Sequence, residues 1–273
     1  MKLLNGAELA NYIKERQSRQ VRALRQASNI IPRLAIIQTI DSPVIERYVA
    51  LKKQYGQDIL VEVDQYRLSE TEALTKIEAL NQDDAVHGII VQLPLSDASF
   101  TDQLVNCVAP SKDVDGLGAE AQFEPATATA INWLLTGYNI EMKQKKIVIV
   151  GLGRLVGAPL LDLWQVAGYD VTALTRSDEN IEQQIAQADI VVSATGSPGI
   201  ITSSMLKIGA VVVDAGTASE GGIIRGDVAP DVYETRHDLS ITPVRGGVGP
   251  LTVTALFDNV IRSAQALTTT NQS

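Results

Sequence analysis

Four polar side chains in the first half of the chain stand where they could take part in acid–base chemistry. Tyr48 and Lys52 lie four residues apart in a helical pattern, so they share one face of that helix. Gln92 ends an apolar strand pattern, where its amide needs a polar partner. Asp115 follows Asp113 in a short loop that a glycine closes. Spacing alone does not bring these three segments together.

Glycine-rich turns in the second half favour a nucleotide site. Residues 148–157 read V-I-V-G-L-G-R-L-V-G, which predicts a strand, a tight turn and the start of a helix. The glycines let the backbone approach a pyrophosphate, and the helix N-terminus favours its negative charge. Two more glycine turns, at 194–199 and 214–217, follow predicted strands. Three such turns make dinucleotide binding more plausible than simple packing.

The residues after the second strand of this half bear on the choice of cofactor. An acidic residue at that place of a dinucleotide-binding fold would bind a ribose hydroxyl. Here the sequence reads Thr175-Arg176-Ser177, and the arginine favours the 2′-phosphate of NADP. Asp178 and Glu179 follow directly and leave NAD as an alternative. A solvated surface arginine is the other interpretation of Arg176.

The segment Gly246–Leu251 contains three glycines in four residues and then a proline. We expect it to form a tight loop, because this composition does not fit an ordinary helix or a central strand. Apolar residues from Val253 to Leu267 then follow helical spacing. A rigid loop that leads into a docked helix is suited to form one wall of a ligand cleft. The alternative is a structural turn.

Helical and strand patterns alternate along the chain, which predicts an α/β fold with a mostly parallel sheet. In the first half we expect strands at 33–38, 59–63 and 86–93, and helices at about 7–27, 43–55, 69–80 and 102–108. A loop at 112–129 and a linking helix from 131 lead to strands at 147–150, 171–174, 190–194 and 210–214. We predict an N-terminal α/β catalytic domain over 1–131, against which helix 252–267 packs, and a Rossmann-like NAD(P)-binding domain over 132–251. The ligand cleft is expected between them.

Composition and charge exclude several classes of protein. A chain of 273 residues with 45% hydrophobic and 20% charged residues is typical of a soluble globular protein. The net charge of −9 argues against nucleic acid and anionic membranes as partners. One cysteine, Cys107, and two histidines make a metal site improbable. No apolar run could span a membrane and the N-terminus lacks a signal-peptide core, so we expect a cytoplasmic location.

Five segments carry a resemblance that extends over nearly the whole chain. They are Tyr48–Lys52 (Y-V-A-L-K), Val91–Leu95 (V-Q-L-P-L), Lys112–Gly116 (K-D-V-D-G), Gly196–Gly199 (G-S-P-G) and Ile241–Thr252. In this order they resemble the bifunctional methylenetetrahydrofolate dehydrogenase/methenyltetrahydrofolate cyclohydrolase (FolD-type) family. The resemblance implies oxidation of 5,10-methylenetetrahydrofolate with NADP and hydrolysis of the product to 10-formyltetrahydrofolate. This is one-carbon metabolism of the kind that serves purine biosynthesis, and it further implies a homodimer formed through the nucleotide domain.

The resemblance also implies roles for individual residues. Lys52 is implied to be the acid/base of the cyclohydrolase step, with Gln92 hydrogen-bonded to it. Tyr48 is implied to stack on the folate ring system, and Asp115 to bind the pterin nitrogens. Further residues implied to line the folate site are Leu93, Gly246, Gly249, Pro250 and Val253. The implied dinucleotide contacts are Gly151, Leu152, Gly153, Val156, Thr175, Arg176, Ala194, Thr217 and Thr252.

Several positions depart from the family's usual pattern. The segment 117–124 is shorter than usual, and Gly153 replaces a serine, Ser197 a lysine and Arg245 a proline. These changes lie at the borders of the expected cofactor and substrate sites. Three alternatives therefore stay open. They are a dehydrogenase without cyclohydrolase activity, a shikimate-dehydrogenase-like enzyme, and a non-catalytic protein that binds folate or nucleotide.

Overall fold

The structure, a computed structural model, describes residues 1–216, 218–220 and 223–270. These residues form two compact units. The three-stranded unit, named for its sheet, contains Asn11–Ala126 and the C-terminal segment that begins at Val253. The six-stranded unit contains Met1–Ala10 and Thr127–Thr252. None of the helices in the described ranges is long and apolar enough to cross a membrane.

Strands and helices alternate through most of the described chain. The strands are β1 (Lys2–Leu3), β2 (Arg33–Gln38), β3 (Glu62–Arg67), β4 (Gly88–Val91), β5 (Ile147–Val150), β6 (Val171–Leu174), β7 (Ile190–Ser193), β8 (Val211–Asp214), β9 (Ala218–Glu220), β10 (Ile223–Arg225) and β11 (Ser240–Ile241). The helices are α1 (Gly6–Ala27), α2 (Pro43–Ile59), α3 (Glu70–Asn81), α4 (Thr101–Cys107), α5 (Ala126–Gly137), α6 (Gly157–Val166), α7 (Ile181–Ala186), α8 (Pro230–Thr235) and α9 (Val248–Thr270).

The three-stranded unit is built on a parallel sheet in the order β3-β2-β4. Residues 34–37 of the central strand β2 are fully buried, as expected for a parallel strand that is covered on both faces. Helix α3 begins with a capping box, in which Ser69 and Glu72 bind each other's backbone N–H groups. The predicted β2 and α3 are confirmed to within one residue at each end.

The strand predicted at 59–63 lies further along the chain, at Glu62–Arg67. Helix α2 continues to Ile59, whose side chain is fully buried, and ends at Leu60, which has a φ of 67°. The apolar residues at 59–61 therefore close a helix instead of opening a strand. β3 is an edge strand of mostly half-buried polar side chains, so it lacks the apolar run by which a buried strand is recognised.

The six-stranded unit contains a wholly parallel sheet in the order β1-β11-β8-β7-β5-β6. The chain passes from β5 to β6 on one side and then to β7 on the other side of β5. The strand order thus reverses between β5 and β7, and open α/β sheets bind ligands at the carboxyl ends of strands at such a point. The four strands predicted for this half are confirmed, each to within one residue.

The first ten residues differ from the predicted division of the chain at 131. Strand β1 pairs in parallel with β11, which places Lys2 beside Ser240 and Leu3 beside Ile241. Residues 1–10 therefore belong to the six-stranded unit. A two-residue edge strand is too short to show any periodicity, so the sequence carries no signal for it. Helix α5 also begins earlier than the expected 131, at Ala126.

Candidate active site

The ammonium group of Lys52 is hydrogen-bonded to the side chain of Gln92. Its Nζ atom donates to Gln92 Oε1 over 2.6 Å, and Gln92 Nε2 donates to the carbonyl oxygen of Leu93 over 3.1 Å. Helix α2 carries Lys52, and Gln92 directly follows the last residue of β4. Lys52, Gln92 and Leu93 are each half-buried. The contact that the family resemblance implies between Lys52 and Gln92 is therefore present.

Lys52 and Asp115 belong to one electrostatic group. Burial lowers the pKa of the Lys52 ammonium, and the negative charge of Asp115 acts in the opposite direction. Burial likewise raises the pKa of Asp115, against the effect of the Lys52 charge. A lysine with a lowered pKa has a larger neutral fraction near neutral pH, which is the form that accepts a proton. The structure thus couples three of the four predicted catalytic residues.

The loop that carries Asp115 is fixed by a second carboxylate. Asp113 is buried and accepts hydrogen bonds from Gly116 N over 3.0 Å and Gly118 N over 2.7 Å. Gly116 has a φ of 70°, a conformation that favours glycine. Burial raises the pKa of Asp113 although these N–H groups stabilise its charged form. Asp113 therefore determines the path of the loop, while Asp115 is the carboxylate coupled to Lys52.

Asn259 also holds this loop, although no sequence motif includes it. Its Nδ2 atom donates to the carbonyl oxygens of Val114 over 2.9 Å and Glu124 over 3.1 Å. The side chain is 3% exposed and lies on α9 among apolar residues. A single amide on an apolar helix face needs a polar partner, and that was the available signal. Through Asn259, helix α9 thus holds the backbone at Val114, before segment 117–124, and at Glu124, where that segment ends.

Tyr48 lies on α2 one turn before Lys52, and its side chain is half-buried. Val253, also half-buried, lies on the part of α9 that belongs to the three-stranded unit. The predicted folate residues in this unit are therefore on α2, at the end of β4, in the loop of Asp115 and on α9. Their contacts with a substrate stay a prediction.

The predicted loop at 246–251 is only partly correct. Gly246 has a φ of 83° and its carbonyl oxygen accepts a hydrogen bond from Ala7 N over 2.9 Å. Helix α9 begins at Val248, however, so Gly249 and Pro250 lie in its first turn. The first-turn N–H groups of a helix have no partner within it, and a proline is therefore tolerated there. These residues, with Thr252, belong to the six-stranded unit.

The glycine turn after β5 has the form of a phosphate cradle. Gly151 has a φ of 96°, and a Cβ atom added to it would lie 2.7 Å from the carbonyl oxygen of Ala194. A Cβ atom on Gly157 would lie 1.8 Å from the carbonyl oxygen of Gly151, whereas one on Gly153 would meet nothing within 4 Å. The first and third glycines let the turn pack on α6 and on the segment after β7. The turn leads into the N-terminus of α6, where a negatively charged group is favoured.

Other predicted dinucleotide residues lie in this turn or after the neighbouring strand β7. Leu152 is exposed, whereas Val156, at the N-cap of α6, and Ala194, after β7, are half-buried. Thr217 lies outside the described residues. The turn 194–199 follows β7, and the strand order reverses between β5 and β7. The glycine turns that follow β5 and β7 are therefore neighbours at the carboxyl edge of the sheet.

Arg176 lies after β6 with its charged group in contact with the turn that follows β7. Its Nη2 atom donates to Ser197 Oγ over 2.7 Å, and the arginine is exposed. The carboxylate of Asp178 accepts hydrogen bonds from Thr175 N over 2.7 Å and from Thr175 Oγ1 over 2.6 Å. These bonds lower the pKa of Asp178. The carboxylate of Asp178 is thus bonded within its own turn, whereas the guanidinium of Arg176 extends to the turn that follows β7.

Two models of protein domains match the chain. The tetrahydrofolate dehydrogenase/cyclohydrolase catalytic domain matches residues 4–115. The tetrahydrofolate dehydrogenase/cyclohydrolase NAD(P)-binding domain matches residues 125–268. The bifunctional protein FolD of Lactobacillus acidophilus is 37% identical over 275 residues, and the match covers 96% of each chain.

Solved structures give the same result. The bifunctional enzyme FolD, a methylenetetrahydrofolate dehydrogenase/cyclohydrolase from Campylobacter jejuni, matches with a TM-score of 0.91 and 35% identity, over 98% of this chain and 99% of its own. The N5,N10-methylenetetrahydrofolate dehydrogenase-cyclohydrolase of Trypanosoma brucei, solved with NADP and an inhibitor, has a TM-score of 0.91 and 27% identity, over 97% of this chain and 98% of its own.

These matches confirm the predicted fold class and the predicted reaction class, a dehydrogenase and cyclohydrolase of one-carbon folate metabolism with an NADP-type cofactor. They set aside the shikimate-dehydrogenase-like alternative, because both halves of the chain match the domains of one folate enzyme. The chain belongs to the tetrahydrofolate dehydrogenase/cyclohydrolase family.

Proposed function

We propose that this protein oxidises 5,10-methylenetetrahydrofolate with NADP and then hydrolyses 5,10-methenyltetrahydrofolate to 10-formyltetrahydrofolate. The observation that carries the proposal is the hydrogen bond from Lys52 to Gln92, in surroundings that lower the pKa of the lysine. The cyclohydrolase step needs a group that accepts a proton near neutral pH. A half-buried lysine with a neutral hydrogen-bond partner meets this need.

In the first reaction the protein mainly positions its reactants. Tyr48 packs against the folate rings and Asp115 binds the pterin nitrogens, so that the methylene carbon is held for hydride loss. NADP, when bound, supplies the acceptor of that hydride. The glycine turn after β5 holds the pyrophosphate, with Gly151 and Gly157 packing the turn and Gly153 leaving its open side accessible. No proton has to leave the substrate in this step.

In the second reaction water adds to the methenyl carbon. Lys52, in its neutral form, accepts a proton from the water as the new C–O bond forms. The bond between that carbon and N5 then breaks, and the formyl group stays on N10. One proton of the water ends on N5, and the other leaves the site through Lys52. Gln92 keeps the lysine oriented, because its amide oxygen occupies one of the Nζ hydrogen-bonding positions.

The charged residue after β6 supports NADP as the preferred cofactor. Arg176 is exposed and its guanidinium is held by Ser197, so it is available to a 2′-phosphate. Asp178 is bonded to Thr175 and does not take the place of the ribose-binding acid of NAD-dependent folds. The similar enzyme of Trypanosoma brucei was solved with NADP.

The proposal includes a cytoplasmic homodimer, in which the six-stranded unit makes the subunit contact. It rests on the family resemblance. Light scattering after size-exclusion chromatography tests the dimer. We expect a measured mass of twice the chain mass of 29.3 kDa. A monomer at micromolar concentration would contradict that part of the proposal.

The reaction is tested with 5,10-methylenetetrahydrofolate and, in separate assays, NADP and NAD. Reduced nicotinamide is followed by absorbance, and methenyltetrahydrofolate is measured after an acid quench that destroys reduced nicotinamide. Reduced nicotinamide without methenyl accumulation, compared with a no-enzyme hydrolysis control, supports both activities. Accumulation of the methenyl compound would mean a dehydrogenase alone. The absence of turnover with either cofactor would support the non-catalytic alternative.

A further inference from the structure

Asp227 has a buried carboxylate that none of the roles above uses. Its side chain is fully buried and accepts hydrogen bonds from three groups in the part of the chain that the structure describes. The donors are Ser193 Oγ at 2.7 Å, Thr195 N at 2.7 Å and Ser197 N at 2.9 Å. Two of these donors are backbone N–H groups of the turn that follows β7. The carboxylate is therefore the anchor of this turn, since hydrogen bonds to a charged acceptor are the stronger ones.

The position of this carboxylate is itself closely restricted. A Cβ atom on Gly216 would lie 2.0 Å from Asp227 Oδ1 and 2.4 Å from Oδ2, so the carboxylate occupies space that only a glycine leaves free. The carboxylate of Asp214 accepts hydrogen bonds from Asp227 N and from Val228 N, each over 3.0 Å. The backbone of Asp227 and the space around its side chain are thus both fixed. A carboxylate held in this way determines the positions of the groups that donate hydrogen bonds to it.

The turn that Asp227 anchors holds the guanidinium of Arg176. Arg176 Nη2 donates to Ser197 Oγ over 2.7 Å, and the backbone N–H of Ser197 binds both Asp227 Oδ1 and Thr195 Oγ1, the latter over 3.0 Å. An exposed arginine has many side-chain conformations in water, and a fixed acceptor selects among them. Two hydrogen bonds, one to the backbone N–H and one to the hydroxyl of Ser197, therefore link the buried carboxylate to the exposed guanidinium.

We propose that Asp227 is a positioning residue for cofactor discrimination. It fixes the turn at Thr195–Ser197, the turn fixes Arg176, and Arg176 meets the 2′-phosphate that distinguishes NADP from NAD. The inference rests on the proposed function, in which Arg176 binds this phosphate. Asp227 itself does not touch the cofactor. Its removal should thus weaken the use of NADP more than the use of NAD.

The variant Asp227→Asn keeps the size of the side chain but replaces one acceptor oxygen with an NH₂ donor, which faces the donors of the turn. The quantity to measure is the ratio of kcat/KM with NADP to kcat/KM with NAD. We expect this ratio to fall about tenfold, mainly through KM for NADP, because the guanidinium is displaced. A merely structural role would lower both values of kcat/KM together and leave the ratio unchanged.

Three further variants make the test decisive. Ser193→Ala removes a donor to Asp227 that lies outside the turn, so we expect it to leave the ratio within about twofold of wild type. Arg176→Ala should lower the ratio by about tenfold or more. In the Arg176→Ala background, Asp227→Asn should have no further effect on the ratio, because Asp227 acts through Arg176.

The outcomes separate the two proposals. An unchanged ratio in Arg176→Ala would overturn the phosphate-binding role of Arg176, on which the inference depends. A lowered ratio in Arg176→Ala with an unchanged ratio in folded Asp227→Asn would overturn the inference alone. If circular dichroism shows that Asp227→Asn does not fold, Asp227→Ser is used instead, because the serine hydroxyl can still accept one hydrogen bond. The same fall in ratio supports the proposal, and a wild-type ratio contradicts it.

Discussion

The Nζ atom of Lys52 donates to Oε1 of Gln92 over 2.6 Å, although the two residues are 40 positions apart in the chain. The amide nitrogen of Gln92 is bonded to the Leu93 carbonyl, so its oxygen is the atom that faces the lysine. A neutral amide satisfies the Lys52 donor without adding a negative charge. This partner therefore leaves the lowered pKa of Lys52 in place, whereas a carboxylate would raise it.

Replacement of Lys52 tests its role as proton acceptor. We expect Lys52→Ala to reduce hydrolysis of methenyltetrahydrofolate by about a hundredfold or more, because general-base catalysis contributes this much. The matched control is Lys53→Ala, since Lys53 is exposed and bonded to Gln65 Oε1. It should hydrolyse at the wild-type rate. Hydrolysis by Lys52→Ala at a rate close to that of the control would contradict the assignment.

Replacement of Gln92 by a carboxylate tests the electrostatics of the same pair. In Gln92→Glu the added negative charge favours the ammonium form and should raise the pKa of Lys52. The rise of hydrolysis rate with pH, which follows deprotonation of Lys52, should then move to higher pH. Gln57→Glu puts the same charge on an exposed part of α2 and serves as the control. Coincident pH–rate profiles for the two variants would argue against Lys52 as the titrating group.

Two glycines of the turn after β5 differ in the space around them. Gly157→Ala would place its Cβ atom against the Gly151 carbonyl oxygen, so we expect a loss of about 1–3 kcal/mol in the free energy of unfolding. Gly153→Ala meets no atom within 4 Å and should stay within about 0.5 kcal/mol of wild type. Urea unfolding measures both. Equal destabilisation would show that the packing of α6 on the turn is not the cause.

His87 should make the protein acid-labile. Burial lowers the pKa of His87 from 6.5 to about 4, and its Nδ1 atom accepts a hydrogen bond from Arg33 N over 3.2 Å. Because the unfolded chain takes up the proton first, stability is lost as the pH falls from 6.5 toward 4, by about 2 kcal/mol at pH 5.

His87→Asn, which keeps an acceptor for Arg33 N, should remove this loss. His237→Asn, at the exposed second histidine, should retain it. Urea unfolding at pH 7.5 and pH 5 gives the difference for each variant. A pH dependence in His87→Asn as steep as in the wild type would assign the acid-lability to other groups.

Local signals predicted most of the regular elements. The apolar run of β2 and the capping box of Ser69 and Glu72 are properties of neighbouring residues. Strand β2 and helix α3 therefore lie where the sequence predicts them. The strand expected at 59–63 was wrong because Ile59 and Val61 are equally compatible with a buried helix end. Only the burial of Ile59 against the rest of its unit decided between the two.

Residue types and short-range spacing were sufficient to predict the class of fold and the glycine turns, and the resemblance to a family predicted the reaction. These depend on residue type and on spacing over a few positions. Beyond the Lys52–Gln92 contact that the resemblance implies, contacts between distant segments became visible only in the folded protein. The anchoring of the Ser197 turn by Asp227 and the pairing of β1 with β11 both join segments distant in the chain. Such contacts are selected by the packing of whole elements, and no local pattern records them.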